Sequence, residues 1–211
     1  MKIALIYTAK SDELKNSLER SLLKTFGEGT EAEEYQDVSV LTDSARAGHV
    51  TKEAAARYAE LILHAARNGA DGILSTCCVM GDAVEQFKAF LDFTGTPLVS
   101  IDESFCRKAL LECKKICLLA TAPVAAFSVR HTMERYERTL GTYPSLDTLM
   151  VKDPNGLSKD AFNGAYDGII LAQPSMAFAA EQLRKESGLK VYSAVDDPFG
   201  VLKEKIAAKF N

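Results

Sequence analysis

Residues Asp71–Phe87 (DGILSTCCVMGDAVEQF) align without a gap with residues Asp167–Leu183 (DGIILAQPSMAFAAEQL). The two stretches share Asp, Gly, Ile, Met, Ala, Glu and Gln at equivalent positions. Each starts with a short apolar run and continues into a pattern of helical spacing. A separation of 96 positions is too long for a solenoid repeat. The match therefore predicts two similar α/β halves that face each other across a pseudo-twofold axis.

A second internal match relates Lys2–Ala9 (KIALIYTA) to Lys115–Ala122 (KICLLATA). Its offset is 113 positions rather than 96, so the second half is 17 residues shorter between its first strand and its Asp-Gly-Ile strand. In the first half this interval holds a predicted helix over Thr51–Asn68. In the second half only Pro154–Tyr166 remains, with room for about two helical turns. We expect one face of the second half to be thinner, or to be covered by a partner subunit in a homo-oligomer.

Buried apolar runs alternate with amphipathic stretches along the whole chain. This alternation is typical of parallel sheets with helices on both faces. The sequence therefore predicts an α/β fold with two Rossmann-like three-layer halves, a short parallel sheet in each, and an active site in the cleft between them. The predicted strands are Lys2–Thr8, Gly72–Thr76, Pro97–Ile101, Lys115–Thr121, Leu146–Val151, Gly168–Ala172 and Val191–Val195. The predicted helices run from Ser11 to Gly27, Thr51 to Asn68, Asp82 to Phe93, Val124 to Leu140 and Met176 to Ser187.

The internal matches also predict where the halves divide. The first half spans residues 1–100, and a C-terminal helix over 199–211 packs back on it. The second half spans residues 101–198 and is shortened between 151 and 167. At about 100 residues each, both halves fall within the usual size of a domain.

The composition excludes several classes of partner. The chain has 211 residues, a net charge of −4 and five cysteines. It has no Lys/Arg-rich run for nucleic acid and no 18-residue apolar run for a membrane span. Five cysteines without C-x-x-C pairs are typical of a reducing compartment, so we expect a cytoplasmic protein. The sequence contains neither G-x-G-x-x-G nor a P-loop, and the histidines lack metal-ligand spacing, so we expect no cofactor and no metal.

Polar residues follow the predicted strands at the edge where doubly wound sheets bind ligands. Helices start directly after these residues, and their free N–H groups and dipoles favour an anion such as a carboxylate. The hydroxyl groups add hydrogen-bond donors, although a threonine at a strand end can also be a plain helix cap. The candidate substrate-binding residues are Thr8, Thr76, Cys78, Thr121, Ala122, Gln173 and Ser175.

Cys77 is the strongest candidate for a catalytic residue. It lies between a predicted strand and a helix N-terminus, a position that favours the thiolate form. Such a thiolate can act as a base or nucleophile without a cofactor. The alternative is an apolar buried cysteine, the commoner fate of the residue.

The remaining candidates have weaker support. Asp102 follows a predicted strand and either orients a neighbour or the substrate, or caps the next helix. His131 is a candidate partner for a carboxylate near the start of the second-half helix. Cys106, Cys113 and Cys117 are interpreted as core residues, because the first two share one helical face and the third lies in a strand.

Three motifs together resemble the aspartate/glutamate/hydantoin racemase superfamily: GADGILSTCCVMG (Gly69–Gly81), PLVSIDES (Pro97–Ser104) and KICLLATAP (Lys115–Pro123). The family pattern has a Thr-Cys-Ser-type run after a strand, a later Ile-Asp-Glu run, and then a strand ending in Ala-Thr. The resemblance implies two pseudo-symmetric α/β domains with the active site between them. It also implies cofactor-independent chemistry, in which two cysteines exchange a proton on opposite faces of the carbon next to a carboxylate.

In this resemblance Cys77 matches the cysteine of the first half, but the cysteine of the second half is absent. The internal alignment places Gln173 there instead, and an amide has no useful basicity. The sequence therefore predicts a racemase- or isomerase-type enzyme, acting next to the carboxylate of a small amino or organic acid with Cys77 as its acid/base. A single-cysteine decarboxylase or isomerase of the same fold remains an alternative, as does a non-catalytic carboxylate-binding protein.

Overall fold

The computed structural model describes residues 1–154, 157, 161–162 and 164–209. Two four-stranded sheets form its centre, and their strand pairs are all parallel. The first sheet has the order β2-β1-β3-β4 and consists of β1 (Lys2–Tyr7), β2 (Glu31–Gln36), β3 (Gly72–Ser75) and β4 (Leu98–Ser100). The second has the order β6-β5-β7-β8 and consists of β5 (Lys115–Ala120), β6 (Ser145–Met150), β7 (Gly168–Leu171) and β8 (Lys190–Tyr192).

Helices connect the strands and cover the sheets. The first half contains α1 (Asp12–Phe26), α2 (Val38–Ala47), α3 (Lys52–Arg67) and α4 (Gly81–Phe93). The rest of the chain contains α5 (Asp102–Glu112), α6 (Pro123–Leu140), α7 (Ala180–Ser187) and α8 (Gly200–Ala208). Short 3-10 turns at Cys78–Met80 and Pro174–Ala179 precede α4 and α7.

The two sheets have the same topology and the same register. In the first sheet Ile3 pairs with Gly72, and in the second Ile116 pairs with Gly168. These four positions are the ones that the two internal sequence matches equate. The predicted α/β fold with two pseudo-symmetric halves is confirmed.

The aspartates of the repeated Asp-Gly-Ile motif bind the start of the neighbouring strand. The Asp71 carboxylate accepts a hydrogen bond from the Lys2 backbone N–H at 2.8 Å. The Asp167 carboxylate accepts from the N–H groups of Lys114 and Lys115, at distances down to 2.9 Å. Strand-end N–H groups need such partners, so this contact explains why both halves carry the aspartate.

The glycines of the same motif allow a helix or side chain to lie close to the sheet. A Cβ atom at Gly72 would lie 2.8 Å from the end of the Ile206 side chain on α8. A Cβ atom at Gly168 would lie 2.5 Å from Cys113 Sγ and 3.3 Å from Cys113 Cβ. The contact in the second half is closer and involves a short side chain, which has less freedom to move away.

We therefore expect Gly168→Ala to destabilise the protein more than Gly72→Ala. Overpacking of a closed core costs about 1–3 kcal/mol, and we expect Gly168→Ala to reach the upper part of that range. In Gly72→Ala the flexible end of the Ile206 side chain should move to make room for the new methyl group. Urea unfolding of both variants measures the difference, and an equal or larger loss in Gly72→Ala would contradict this explanation of the repeat.

Helices α1 and α3 of the first half start and end as the sequence predicts. The Ser11 hydroxyl accepts a hydrogen bond from Leu14 N–H at the start of α1. The Thr51 hydroxyl accepts one from Ala54 N–H at the start of α3. Such side-chain caps satisfy N–H groups that have no partner within the helix.

Two elements of the first half were not predicted. Strand β2, with the sequence EAEEYQ, lies at the sheet edge and is partly exposed, so it lacks the apolar run that marks a buried strand. Helix α2 follows directly after its Asp37 cap and buries only Val40 and Ser44. The helix is only ten residues long, and its short apolar stretch at Val38–Leu41 does not by itself indicate a helix.

Two predicted boundaries are wrong. The helix predicted from Met176 begins at Ala180, because the preceding residues form a 3-10 turn. The strand predicted over Val191–Val195 ends at Tyr192. There the Asp196 carboxylate accepts hydrogen bonds from both the N–H and the hydroxyl of Ser193, which turns the chain out of the sheet.

The stretch Pro154–Tyr166, which has room for about two helical turns, includes residues 155, 156, 158–160 and 163, and these lie outside the described residues. Phe162 is described and is buried against Cys117 and Leu119 of β5. On β6, the side chains of Leu149 and Met150 are partly exposed.

Helix α8 returns to the first sheet and to α1. Leu202 and Ile206 lie against Gly72, and the Phe199 ring just before α8 packs edge-on against Phe26 of α1, with ring centroids 5.8 Å apart. Ser104 of α5 accepts a hydrogen bond from Val201 N–H at 3.2 Å. In the described part of the chain, no helix has the length and apolar character needed to cross a membrane.

Candidate active site

A cavity of about 240 Å³ lies between the two halves, beyond the ends of β1, β3 and β7. The loops after β1 and β3, together with α1 and α2, supply the first-half wall, and the loop after β7 supplies the second-half wall. The lining residues are Thr8, Ala9, Lys10, Ser11, Leu14, Leu41, Thr76, Cys77, Cys78, Val79, Gln173, Pro174 and Ser175. The cavity thus occupies the position where the sequence predicts a cleft.

Most of the predicted site residues meet at this cavity. Six of them line it: Thr8, Thr76, Cys77, Cys78, Gln173 and Ser175. Four are not part of the lining: Thr121, Ala122, Asp102 and His131. Thr121 contacts a lining residue directly, whereas Asp102 and His131 have other partners.

Cys77 and Gln173 occupy equivalent turns of the two halves. Each precedes a 3-10 turn, and each carbonyl accepts a hydrogen bond from a methionine N–H three residues later. These bonds are Met80 N–H to Cys77 O at 3.1 Å and Met176 N–H to Gln173 O at 3.0 Å. Both methionines are buried and are shared by the internal repeat. The structure therefore places an amide where pseudo-symmetry would place a second thiol.

The surroundings of Cys77 have opposing effects on its thiol. Burial raises the pKa of Cys77 above its ordinary value, since a thiolate is poorly solvated there. The Thr8 hydroxyl and the backbone N–H groups of Met80 and Val79 favour the thiolate and partly offset this. The position of Cys77 before a helix N-terminus predicted a lowered pKa, and the structure gives the opposite direction. The surroundings of Cys77 therefore favour the thiol over the thiolate.

The strand-end hydroxyls are less available for hydrogen bonds to a ligand than the sequence suggested. The Thr76 hydroxyl donates to the Ile6 carbonyl at 3.0 Å, and its own N–H donates to the same oxygen. The Thr121 hydroxyl donates to Gln173 Oε1 at 2.9 Å. The Thr8 hydroxyl faces the Cys77 sulfur, and Ser175 is exposed at the rim. Thr76 therefore links β1 to β3 and keeps only its lone pairs for a ligand.

Gln173 is held in one orientation by Thr121. The Thr121 backbone N–H donates to Gln173 Oε1 at 2.8 Å, in addition to the hydroxyl bond. A backbone N–H can only donate, so the atom facing it must be the amide oxygen. The amide NH₂ is then the end of the side chain that a ligand can reach. Thr121 belongs to the site as the residue that orients Gln173.

Asp102 lies behind the site and does not line the cavity. It is the first residue of α5 and is fully buried, and one carboxylate oxygen accepts a hydrogen bond from the Ser100 hydroxyl. Burial raises the pKa of Asp102 to about 6, while the hydroxyls of Ser100 and Thr132 oppose the shift. Its negative charge in turn raises the pKa of Cys77 and Cys78. Of the roles predicted for Asp102, contact with the substrate stays a prediction, because the carboxylate is not part of the cavity lining.

His131 is also remote from the cavity lining. Its Nδ1 lies 2.7 Å from Asp82 Oδ2, and its ring lies 4.1 Å from the Phe127 ring, measured between centroids. Arg135 donates to the other oxygen of Asp82 at 2.8 Å. This group joins α4 of the first half to α6 of the second. His131 thus pairs with a carboxylate at a helix start, but that helix is α4 of the first half and not the second-half helix that was predicted, so the contact connects the two halves.

All five cysteines fall within the described residues, and each is buried and unbridged. Cys106, Cys113 and Cys117 lie in the core, as predicted. Cys78 also faces the cavity, although burial raises its pKa well above the ordinary value. Across the described residues, no three metal-binding side chains converge on one point.

Several lining residues were missed by the sequence argument. Ala9, Lys10 and Ser11 directly follow Thr8 in the loop to α1, so the loop itself was the available signal. Leu41 belongs to α2, a helix that was not predicted. Its place in the cavity wall depends on how α2 packs, which no local pattern reveals.

The fold and the site define a class of protein. Two α/β halves of equal topology enclose a small cavity, and equivalent strand-end turns from both halves supply its lining. No protein-family model and no curated protein matches the chain. Solved structures, in contrast, resemble it over nearly its whole length.

The chain is similar to a putative Asp/Glu racemase from Yersinia pestis, with a TM-score of 0.67 and 15% identity over 100% of both chains. A glutamate racemase from Bacillus anthracis gives a TM-score of 0.71 and 14% identity, covering 99% of this chain and 82% of that one. A maleate isomerase from Pseudomonas putida, solved with maleate, gives a TM-score of 0.57 and 14% identity, covering 96% of this chain and 90% of that one. The chain therefore shares the two-domain α/β fold of these solved structures, the fold that the sequence resemblance implied.

Proposed function

We propose that this protein is a cofactor-independent isomerase-type enzyme that exchanges a proton at the carbon next to a carboxylate. Cys77 is its acid/base group, and the substrate is a small amino or organic acid. The observation that carries the proposal is the position of Cys77 in the cavity between the halves, with Thr8 and Val79 beside it in the lining and the Cys78–Met80 turn directly after it. The racemases and the isomerase that share the fold support the same class of reaction.

The cavity supplies what a carbon acid requires. Removal of a proton next to a carboxylate places negative charge on the carboxylate oxygens, and fixed N–H donors stabilise such charge. The turn at Cys78–Met80 and the loop before α1 both lie at this wall, and the N–H groups at such helix starts would be the donors. The NH₂ group of Gln173 offers a further donor from the second half. The bound anion thus meets donors from both halves, while Cys77 exchanges the proton.

Gln173 restricts the reaction to one thiol. Two-face racemisation by a pair of cysteines needs a second group of suitable pKa, and the amide opposite Cys77 cannot supply it. A proton that leaves and returns on one face, or moves between two carbons of the substrate, needs only one thiol. The single-thiol isomerase is therefore preferred over the two-thiol racemase.

A decarboxylase is a second candidate, favoured by the raised pKa of Cys77. A protonated thiol is the form needed to donate a proton. In that reaction the bond between the substrate carbon and its carboxyl group breaks, and the electron pair remains on the carbon. The carbanion takes the thiol proton, CO₂ leaves, and the thiolate is reprotonated by water. This reaction needs a single proton donor, which fits a cavity whose thiols come from the first half alone, with Gln173 at the equivalent position of the second.

Hydrogen exchange in D₂O tests the proposal. Small carboxylic and amino acids that raise the melting temperature of the protein identify ligands, and each is then incubated with the enzyme and followed by proton NMR. We expect one ligand to gain deuterium at the carbon next to its carboxylate, or to release CO₂ and gain deuterium there. Ligands that stabilise the protein but show neither change would contradict the proposal and indicate a carboxylate-binding protein.

A further inference from the structure

The outer wall of the cavity is apolar. Leu14 of α1, Leu41 of α2, Val79 and Pro174 all contribute to the lining. Among the described residues that line the cavity, Lys10 is the only one with an ionisable side chain other than the two cysteines. Lys10 is therefore the one described lining residue whose side chain could form an ion pair with a second negative charge on a ligand.

Lys10 already has a carboxylate partner from the protein. Its Nζ lies 2.7 Å from Glu34 Oε2, and both side chains are about three-quarters buried. Glu34 also contacts Lys15, which in turn contacts Glu19. Two ammonium groups and two carboxylates thus balance each other beside the cavity, and no net positive charge faces a ligand.

A second carboxylate on a ligand would be poorly accommodated. It would have to lose water at an aliphatic wall, and an uncompensated charge there is costly. It would also compete with Glu34 for Lys10 and meet repulsion from Glu34 itself. An apolar substituent of the same length would instead gain from burial against the leucine and valine side chains.

We propose that the substrate is a monocarboxylate whose remaining substituent is small and apolar, and that dicarboxylates such as aspartate are excluded. This inference rests on the proposed function, since it takes the carboxylate next to the reacting carbon as the one that binds the N–H groups. The volume of about 240 Å³ lies below the range of about 300–1,000 Å³ typical of pockets for drug-sized ligands. The substituent is accordingly short.

Binding of matched acids tests the inference. Butanoate and succinate have the same chain length and differ in one carboxylate, as do 2-aminobutanoate and aspartate. We expect the monocarboxylate of each pair to bind at least about tenfold more tightly by calorimetry, as befits one unpaired buried charge. Equal or tighter binding of succinate and aspartate would overturn the inference. Binding is measured in wild type and in Cys77→Ser, so the result does not depend on catalysis.

Charge variants test the role of the Lys10–Glu34 pair. Glu34→Gln removes the partner of Lys10, so we expect succinate affinity to rise about tenfold while butanoate affinity stays within about twofold. Glu33→Gln is the matched control: it makes the same change one residue away, where the partner is Lys2 at 3.5 Å. An unchanged preference in Glu34→Gln, or the same gain in Glu33→Gln, would contradict the mechanism of exclusion.

Lys10→Met keeps the test informative if Glu34→Gln folds poorly. This change removes the cation but keeps an unbranched side chain in the lining. We expect butanoate to bind Lys10→Met within about twofold of wild type, because the inference gives Lys10 no part in holding the first carboxylate. A tenfold loss would show that Lys10 binds that carboxylate, which would overturn the inference. If wild type prefers the monocarboxylates but exchanges no hydrogen with any of them, that result would count against the proposed function alone.

Discussion

Cys77→Ser should lower turnover of the identified substrate by about 10²–10⁴-fold, the usual contribution of one general acid/base group. A serine hydroxyl occupies nearly the same volume but does not exchange protons with carbon at a useful rate. Stability should change by about 1 kcal/mol or less, since Thr8 and the N–H groups of Val79 and Met80 can bond the new oxygen. Steady-state kinetics and urea unfolding of the same preparation measure both effects.

Cys113→Ser is the matched control for this experiment. It makes the same change of sulfur to oxygen in the core of the second half, where Tyr192 Oη lies 3.3 Å away and can bond the serine hydroxyl. Its turnover should stay near that of wild type. Full turnover in Cys77→Ser, or an equal loss in Cys113→Ser, would contradict the assignment of Cys77.

The pH dependence of turnover distinguishes the two candidate reactions. Burial raises the pKa of Cys77, so a reaction that needs the thiolate as base should accelerate as pH rises through the alkaline range. A decarboxylation that needs the thiol as acid should be constant near neutral pH and slow down at alkaline pH. The residual activity of Cys77→Ser should not show this pH dependence.

Asp102→Asn should stabilise the protein at pH 8 and have a much smaller effect at pH 4. The folded-state pKa of about 6 lies above the ordinary 3.8, so the carboxyl favours folding while protonated and loses this contribution as pH rises from about 4 to about 6. The shift corresponds to about 3 kcal/mol. Asparagine carries no charge to desolvate and still accepts a hydrogen bond from Ser100. Urea unfolding of wild type and variant at both pH values measures the difference.

Asp92→Asn is the control for the effect of pH. Asp92 is partly exposed and pairs with Lys205 at 3.1 Å, and surface pairs of this kind contribute about 1 kcal/mol or less. The control should therefore change stability little at either pH. A gain in Asp102→Asn that is the same at pH 4 and pH 8 would show that burial of charge is not the cause.

The fold was predictable because its signals are local and repeated. Buried parallel strands produce continuous apolar runs, and the Asp-Gly-Ile motif occurs twice since the same strand contact forms in each half. Strand β2 was not predicted, because an edge strand exposed to water has no continuous apolar run. Helix α2 was not predicted for a similar reason, because only two of its ten residues are buried.

The candidate site was predictable in its location and less so in its chemistry. Topology brings strand ends together, so Thr8, Cys77 and Gln173 could be placed at one cavity from the order of strands alone. The hydroxyl of Thr76 is committed to the Ile6 carbonyl, which lies 70 residues away in the chain. The direction of the Cys77 pKa depends on burial by both halves, and helix position alone suggested the opposite direction.

The sequence by itself determined that the chain consists of two α/β halves of common pattern and that Cys77 has glutamine as its symmetry partner. Only the tertiary structure decided the charge and polarity of the cavity: the raised pKa of Cys77, the orientation of Gln173 by Thr121, and the neutralisation of Lys10 by Glu34. The hydrophobic pattern of a segment reflects which of its own residues are buried, so it can be recognised in the local sequence. Desolvation and charge pairing depend instead on groups distant in the chain, and these meet only after folding.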